Sequence, residues 1–244
     1  MDKFVKIKNF FLDLFFPKFC LGCQKEGSYL CQDCKEILDI NQFNYCLCDK
    51  NPLRLPLDSK IGKCPNCQDK KLAGLFFALP YKEKQLTKKL IYQFKYQPYL
   101  KDLAKILASL IIEHLILSNK NTNEIWNNSV LIPIPLNKKK LKLRGYNQSE
   151  ELAKELSKIL KIPVILDCLI KIKDTKPQME LKKEERAKNL QNAFAIKNCE
   201  KMQNKKIFLV DDVYTTGFTM EECAKVLKSS GIKNVWGIAI ARDG

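Results

Sequence analysis

Eight of the eleven cysteines lie between Cys20 and Cys67, in close pairs: Cys20-x2-Cys23, Cys31-x2-Cys34, Cys46-x-Cys48 and Cys64-x2-Cys67. From Phe19 to about Lys70 no helical or strand period is sustained, and Gly, Pro, Asn, Asp and Cys dominate. Such a segment cannot offset the entropy of its own ordering through a core, so it needs a staple. Disulfides or a bound metal would both serve. The opening residues do not read as a signal peptide, so the expectation is a reducing cytoplasm with metal-bound thiolates.

Cys20, Cys23, Cys31 and Cys34 offer the four sulfurs that tetrahedral zinc requires of a ribbon without a core. Cys46, Cys48, Cys64 and Cys67 offer a second set with one departure. A single residue separates Cys46 from Cys48, where the usual knuckle has two so that backbone N–H groups face the sulfurs. The second set is therefore a second zinc site or a reduced thiol cluster. Cys168, Cys199 and Cys223 have no paired neighbours and read as small apolar fillers or bystanders.

The chain has 244 residues, an apolar fraction of 45% and a formal net charge of +16. That is enough for one domain of ordinary size with a small accessory module, and for a surface that attracts polyanions. Phe4, Ile7, Phe11 and Leu14 recur at helical spacing ahead of Pro17, which predicts an amphipathic helix within residues 1–19. It is far shorter than the roughly 20 apolar residues of a membrane span, and no other segment reads as one. Composition changes near residue 70, which predicts a cysteine-stapled region over 20–70 and a globular domain over 71–244.

The second region carries the apolar runs GLFFALPY, VLIPIP, IPVIL, LIKI, KIFLVDD and NVWGIAIA, with helical patterns through Leu86 to Phe94, Leu103 to Ile111, residues 149–160 and residues 219–230. Near-continuous apolar strands alternating with helices predict an α/β fold with a mostly parallel sheet and flanking helices. The Asn-rich residues 118–128 read as a surface loop. His114, the only histidine, falls on an apolar helix and reads as a satisfied helix residue, not a nucleophile's partner.

KIFLVDDVYTTGFT, residues 206–219, joins a buried strand, two adjacent acids, a short loop and a helix start. Ligands of an open parallel sheet sit outside the carboxyl ends of its strands, where a helix amino terminus offers unpaired N–H groups to phosphate. Thr215, Thr216, Gly217, Phe218 and Thr219 would form that cradle, and Asp211 and Asp212 could accept from sugar hydroxyls. The rival account is a plain helix cap, Thr219 with Glu222. It leaves unexplained two adjacent carboxylates at a sheet mouth, which cost desolvation without improving packing.

VDDVYTTG, residues 210–217, resembles the signature by which type I phosphoribosyltransferases bind 5-phosphoribosyl-1-pyrophosphate (PRPP). The resemblance implies that Asp211 and Asp212 contact the ribose 2- and 3-hydroxyls and that Thr215 to Thr219 hold the 5-phosphate. IPIPLNKKKLKLRGYNQSEELA, residues 132–153, resembles the ComF family of competence-related proteins, in which RG(F/Y)NQ is typical. Its Lys139, Lys140 and Arg144 would face a pyrophosphate. DTKPQMELKKEERAKNLQNAF, residues 174–194, is similar to the same family's pattern and implies a flexible loop over PRPP with Gln178, Arg186 and Asn189. The double zinc ribbon ahead of a transferase domain is also ComF-like.

That resemblance implies Mg2+-dependent phosphoribosyl transfer with release of pyrophosphate, although no residue set reads as an acceptor site. It also implies an association with DNA uptake. The alternative is a non-catalytic protein of natural transformation that binds PRPP or single-stranded DNA, a role that the positive charge and QFKYQPY, residues 93–99, would serve.

Overall fold

The computed structural model describes residues 17–56, 62–81, 85–173, 189–197 and 199–243. Most of the predicted amino-terminal helix, together with Gln178 and Arg186, lies outside them.

The described residues open with a Phe19–Glu26 bridge and helix α1 (Gln32–Glu36), followed by the two-residue strands β1 (Asn44–Tyr45) and β2 (Arg54–Leu55), which pair antiparallel. Next come β3 (Leu75–Pro80), α2 (Gln85–Lys95), α3 (Leu103–Leu117), the short α4 (Asn123–Trp126) and β4 (Ser129–Pro133). Then follow α5 (Lys138–Arg144), α6 (Gln148–Leu160), β5 (Leu169–Lys171), β6 (Phe194–Ile196), β7 (Lys206–Tyr214), α7 (Phe218–Ser229) and β8 (Val235–Arg242).

Four strands form one parallel sheet in the order β3-β8-β7-β4. IPVIL extends it by one parallel bridge, Val164 to Leu131. LIKI does not join it. Residues Leu169 to Lys171 pair antiparallel with Phe194 to Ile196 in a separate two-stranded sheet. An apolar run cannot distinguish a parallel core strand from one arm of a small sheet laid over the core.

Both sheet faces are covered, which is why the strands are nearly continuously apolar. Ile207 and Leu209 of β7 turn to one core with Met220, Cys223 and Leu227 of α7, the β5–β6 pair, and Cys46, Leu47, Cys64 and Cys67. Phe208 and Val210 turn to the other core with α2, α3 and α6. Leu38 belongs to that second core, and Leu21, Tyr29, Leu30 and Ile40 pack against it. The two cysteine sets thus lie against opposite faces. The chain passes between them at the open edge of β3, where Asn41 N–H donates to Ala78 O at 2.7 Å. That hydrogen bond covers a sheet edge that would otherwise be unpaired.

His114 Nδ1 meets Asn41 O at 2.7 Å, and burial holds the imidazole down at about 4, so it is neutral and serves this crossing. The Asn-rich segment carries α4, whose Trp126 is buried beside Phe208, ring centroids 4.7 Å apart. Phe76 stacks on Trp236 at 5.0 Å and on Phe208 at 6.2 Å, making it the hub of an aromatic cluster. Phe76→Ala is expected to cost about 3–5 kcal/mol of unfolding free energy, read as a lower urea midpoint.

Candidate functional site: a cationic cleft at the carboxyl edge of the sheet

A cleft of ≈ 350 Å³ opens at the carboxyl ends of β4 and β7. Its walls bring together Lys140 and Arg144 from one stretch of the sequence with Asp211, Asp212, Thr215, Gly217, Phe218 and Thr219 from another. Lys139, Thr216 and Asn189 are not among its lining residues. The Lys139 N–H is taken by the Asn137 side chain at 2.8 Å, and Thr216 Oγ1 is buried without a partner. Lys171 and Phe194, which flank the segment expected to form the flexible loop, both line the cleft.

The acids sit within β7 rather than at its end, since Val213 and Tyr214 still pair with Ala241 and Arg242. Gly217 then adopts φ 74, caps α7 and allows the turn; a Cβ there would collide with the Tyr214 ring. No side chain caps this helix, and Glu222 instead accepts the Asn192 N–H at 2.8 Å, so the Thr219–Glu222 capping box does not form. The first turn of α7 is left as a donor surface facing the cleft.

RGYNQ acquires a role for each residue. Gly145 ends α5 in the left-handed region at φ 76. Tyr146 donates its hydroxyl to Phe94 O at 2.6 Å, and Asn147 donates to Ile134 O at 3.0 Å while capping α6. Gln148 accepts from Arg144 at 2.8 Å, holding a guanidinium that also lies 5.3 Å from the Tyr96 ring.

Lys95, which the sequence pattern places only in QFKYQPY, belongs to this cleft. Its ammonium contacts Asp212 Oδ1 at 2.7 Å, with side chains 23% and 11% exposed, so this is a largely desolvated pair rather than a surface one. Burial alone would lower the Lys95 ammonium, but Asp212 and then Asp211 outweigh it and the net shift is upward. Asp211 accepts from Ser149 Oγ at 3.0 Å and from the Asp212 N–H at 2.9 Å. Burial and then the Asp212 charge raise its carboxyl to about 7, against the pull of Lys95. The one available signal was a lysine following the buried positions Leu90, Ile91 and Phe94 of α2.

The cysteines meet as two groups of four, each with sulfurs within 4.8 Å of one another. Cys23 and Cys31 sulfurs are 3.5 Å apart, as are those of Cys48 and Cys64, close to the roughly 3.8 Å edge of a zinc–thiolate tetrahedron. Burial opposes the Cys20 thiolate, but N–H donors from Cys31, Cys23 and Gly22 bring the thiol down to about 6. Burial and the neighbouring sulfurs push Cys34 up to about 12. Four thiolates at this spacing need a cation to coexist, and both groups could hold zinc. Among the described residues no helix is long and apolar enough to cross a membrane.

Residues 146–243 match the phosphoribosyl transferase domain family. Fold, cleft and match together define a protein with a phosphoribosyl transferase domain. The chain is 30% identical over 241 residues to "Competence protein F" of Haemophilus influenzae, covering 93% of this chain and 99% of that one. It is 27% identical to "Competence protein ComFC" of Streptococcus pneumoniae over 90% of each chain. It is also 30% identical to "DNA utilization protein YhgH" of Escherichia coli K12, over 58% of this chain and 61% of that one. The chain belongs to the ComF family.

Two outcomes follow. Metal analysis is expected to return two zinc ions per chain, falling to one in Cys46→Ser. Because the folded pKa of Asp211 lies above its ordinary 3.8, its ionisation opposes folding increasingly as pH rises to about 7 and fully above that. Asp211→Asn keeps the oxygen that accepts from Ser149. It should raise the melting temperature of the unliganded protein by roughly a few degrees above pH 7, with the gain vanishing toward pH 4.

Proposed function

We propose that the cleft binds PRPP with Mg2+ and transfers its phosphoribosyl group to a nitrogen nucleophile, releasing pyrophosphate. The observation that carries this reading is the convergence, in one cleft, of the Asp211–Asp212 pair, an uncapped helix amino terminus and the cations of α5. Asp211 and Asp212 orient the ribose through its 2- and 3-hydroxyls. Thr215 to Thr219 hold the 5-phosphate. Lys140 and Arg144, with Lys139 beside them on α5, receive the pyrophosphate, and Gln178, Arg186 and Asn189 belong to the loop that covers it.

The nitrogen lone pair forms the new bond to the anomeric carbon as the carbon–oxygen bond breaks. The bonding electron pair leaves with pyrophosphate, and the nitrogen's proton passes to solvent. Such a reaction needs positioning and charge stabilisation more than covalent help. Mg2+ bound with PRPP would supply charge neutralisation for the departing pyrophosphate, beside Lys140 and Arg144. Lys95, paired with Asp212, holds the acid pair aligned before the sugar arrives.

The division into a double zinc ribbon over 20–70 and a transferase-like domain over 71–244 belongs to this reading, as does a cytoplasmic location suited to reduced thiolates. The relatives' names, competence and DNA utilization proteins, support a role for this activity beside DNA uptake. A second reading, single-stranded DNA binding without transfer, is favoured by the exposed Tyr92, 4.8 Å from Tyr96 and carried on the same helix as Lys88 and Lys89. Oligonucleotide affinity that falls steeply with salt would support it.

Calorimetric titration with PRPP and Mg2+ tests the first reading. Wild type is expected to bind, and the Asp211→Asn, Asp212→Asn double variant to lose at least about a hundredfold in affinity. Lys95→Met should lose roughly tenfold, since two buried acids then face each other without a cation. Absence of PRPP binding by the wild type would sink the proposal.

A further inference from the structure

The one amide between the paired cysteines of Cys46-x-Cys48, that of Leu47, faces Cys67 Sγ. The amide that reaches Cys46 Sγ comes instead from Leu53, at 3.1 Å, and the Leu53 carbonyl accepts the Cys46 N–H at 2.9 Å. The carbonyls of the turn face Arg242. Its Nη1 donates to Cys46 O at 2.7 Å and its Nη2 to Cys48 O.

Arg242 ends β8 and is 3% exposed, with its guanidinium 5.7 Å from the Phe77 ring and 5.6 Å from the Tyr214 ring. Tyr214 is its partner across the β7–β8 register, and the Tyr214 ring fills the space beside Gly217 in the phosphate loop. A second strap reaches the other end of the loop. Glu221, in the first turn of α7, accepts the N–H groups of Lys71 at 2.5 Å and Leu72 at 3.3 Å. Lys70, next in the chain, donates its own N–H to Cys67 O at 3.2 Å and pairs with Asp49 at 3.1 Å. Both ends of the 215–217 loop therefore lean on the second cysteine group, while the first group lies on the opposite face of the sheet.

We propose that the second cysteine group, as a metal site, sets the geometry of the phosphate loop, with Arg242 and Glu221 as positioning residues that transmit it. The inference rests on the loop being the 5-phosphate site. A buried guanidinium that loses its two carbonyl acceptors has to find others, and Tyr214, packed against it, moves too. Displacing a preorganised anion cradle by about 1 Å costs up to roughly a hundredfold in function. Loss of metal from this group thus weakens phosphate binding although no cysteine lines the cleft. The short turn is then a device that presents two carbonyls to Arg242 rather than a defective knuckle.

The test is a double-mutant cycle on the full zinc-loaded chain: wild type, Arg242→Lys, Cys48→Ser and the pair. Ribose 5-phosphate and PRPP are the probes, with zinc content and thermal melting measured on the same samples. Arg242→Lys is expected to keep both zinc ions and a cooperative melt while binding ribose 5-phosphate about ten- to a hundredfold more weakly, with faster amide exchange at residues 215–218. Cys48→Ser should weaken binding by a similar factor, and the pair no more than the larger single loss, because both cut one strap.

Independent, multiplying losses would overturn the inference, as would wild-type affinity or loss of zinc in Arg242→Lys. Should Cys48→Ser not fold, Glu221→Gln supplies the second arm, since it keeps an acceptor oxygen. Weaker phosphate binding with both zinc ions retained is expected, and unchanged binding would overturn the role of the second strap. If the wild type binds neither ribose 5-phosphate nor PRPP, the phosphate-loop reading has failed as well, and the two failures are told apart on the first titration.

Discussion

Burial of β7 on both faces is the constraint that the other parts of the molecule answer to. Alternate residues enter two different cores, and both strand edges are paired, to β4 and to β8. A strand held in that way has no freedom to tilt or slide. Its two acids therefore emerge at a fixed position, and pairing continues through Tyr214 beyond them, so rigidity reaches the residue before the 215–217 loop.

The same rigidity makes the acids expensive. Asp211 and Asp212 are adjacent and desolvated, and the chain answers with Lys95 from α2 and Ser149 from α6. Tyr146 fastens the RGYNQ turn to the last part of α2 through Phe94 O, so the cation on that helix and the cations on α5 are registered to one another. An ionic network of this kind contributes little stability but much preorganisation, which is what a site for a highly charged ligand needs.

The cysteine-rich region has no apolar core of its own, yet it is not an appendage. One group packs beside α2 and α3, the other beside α7, and Asn41 seals the sheet edge between them. Its loops supply the Cys46 and Cys48 carbonyls that accept from Arg242 at the end of β8.

The parallel sheet, most of its helices, the two cysteine groups and the acid–loop–helix signature were legible in the chain, because each rests on short-range periodicity or spacing. Two of the steps that failed to read through were equally local in appearance. LIKI has the composition of a core strand but pairs antiparallel outside the main sheet, and Cys46-x-Cys48 looks like a damaged knuckle until its carbonyls are seen to face Arg242. What the sequence by itself determined is therefore which groups exist and what local turns they make. Only the tertiary structure decided that Lys95 would face Asp212 and that Arg242 would reach across 196 positions to the second cysteine group. A lone basic residue carries no period or spacing from which its partner could be read, and packing of the two cores alone chooses that partner.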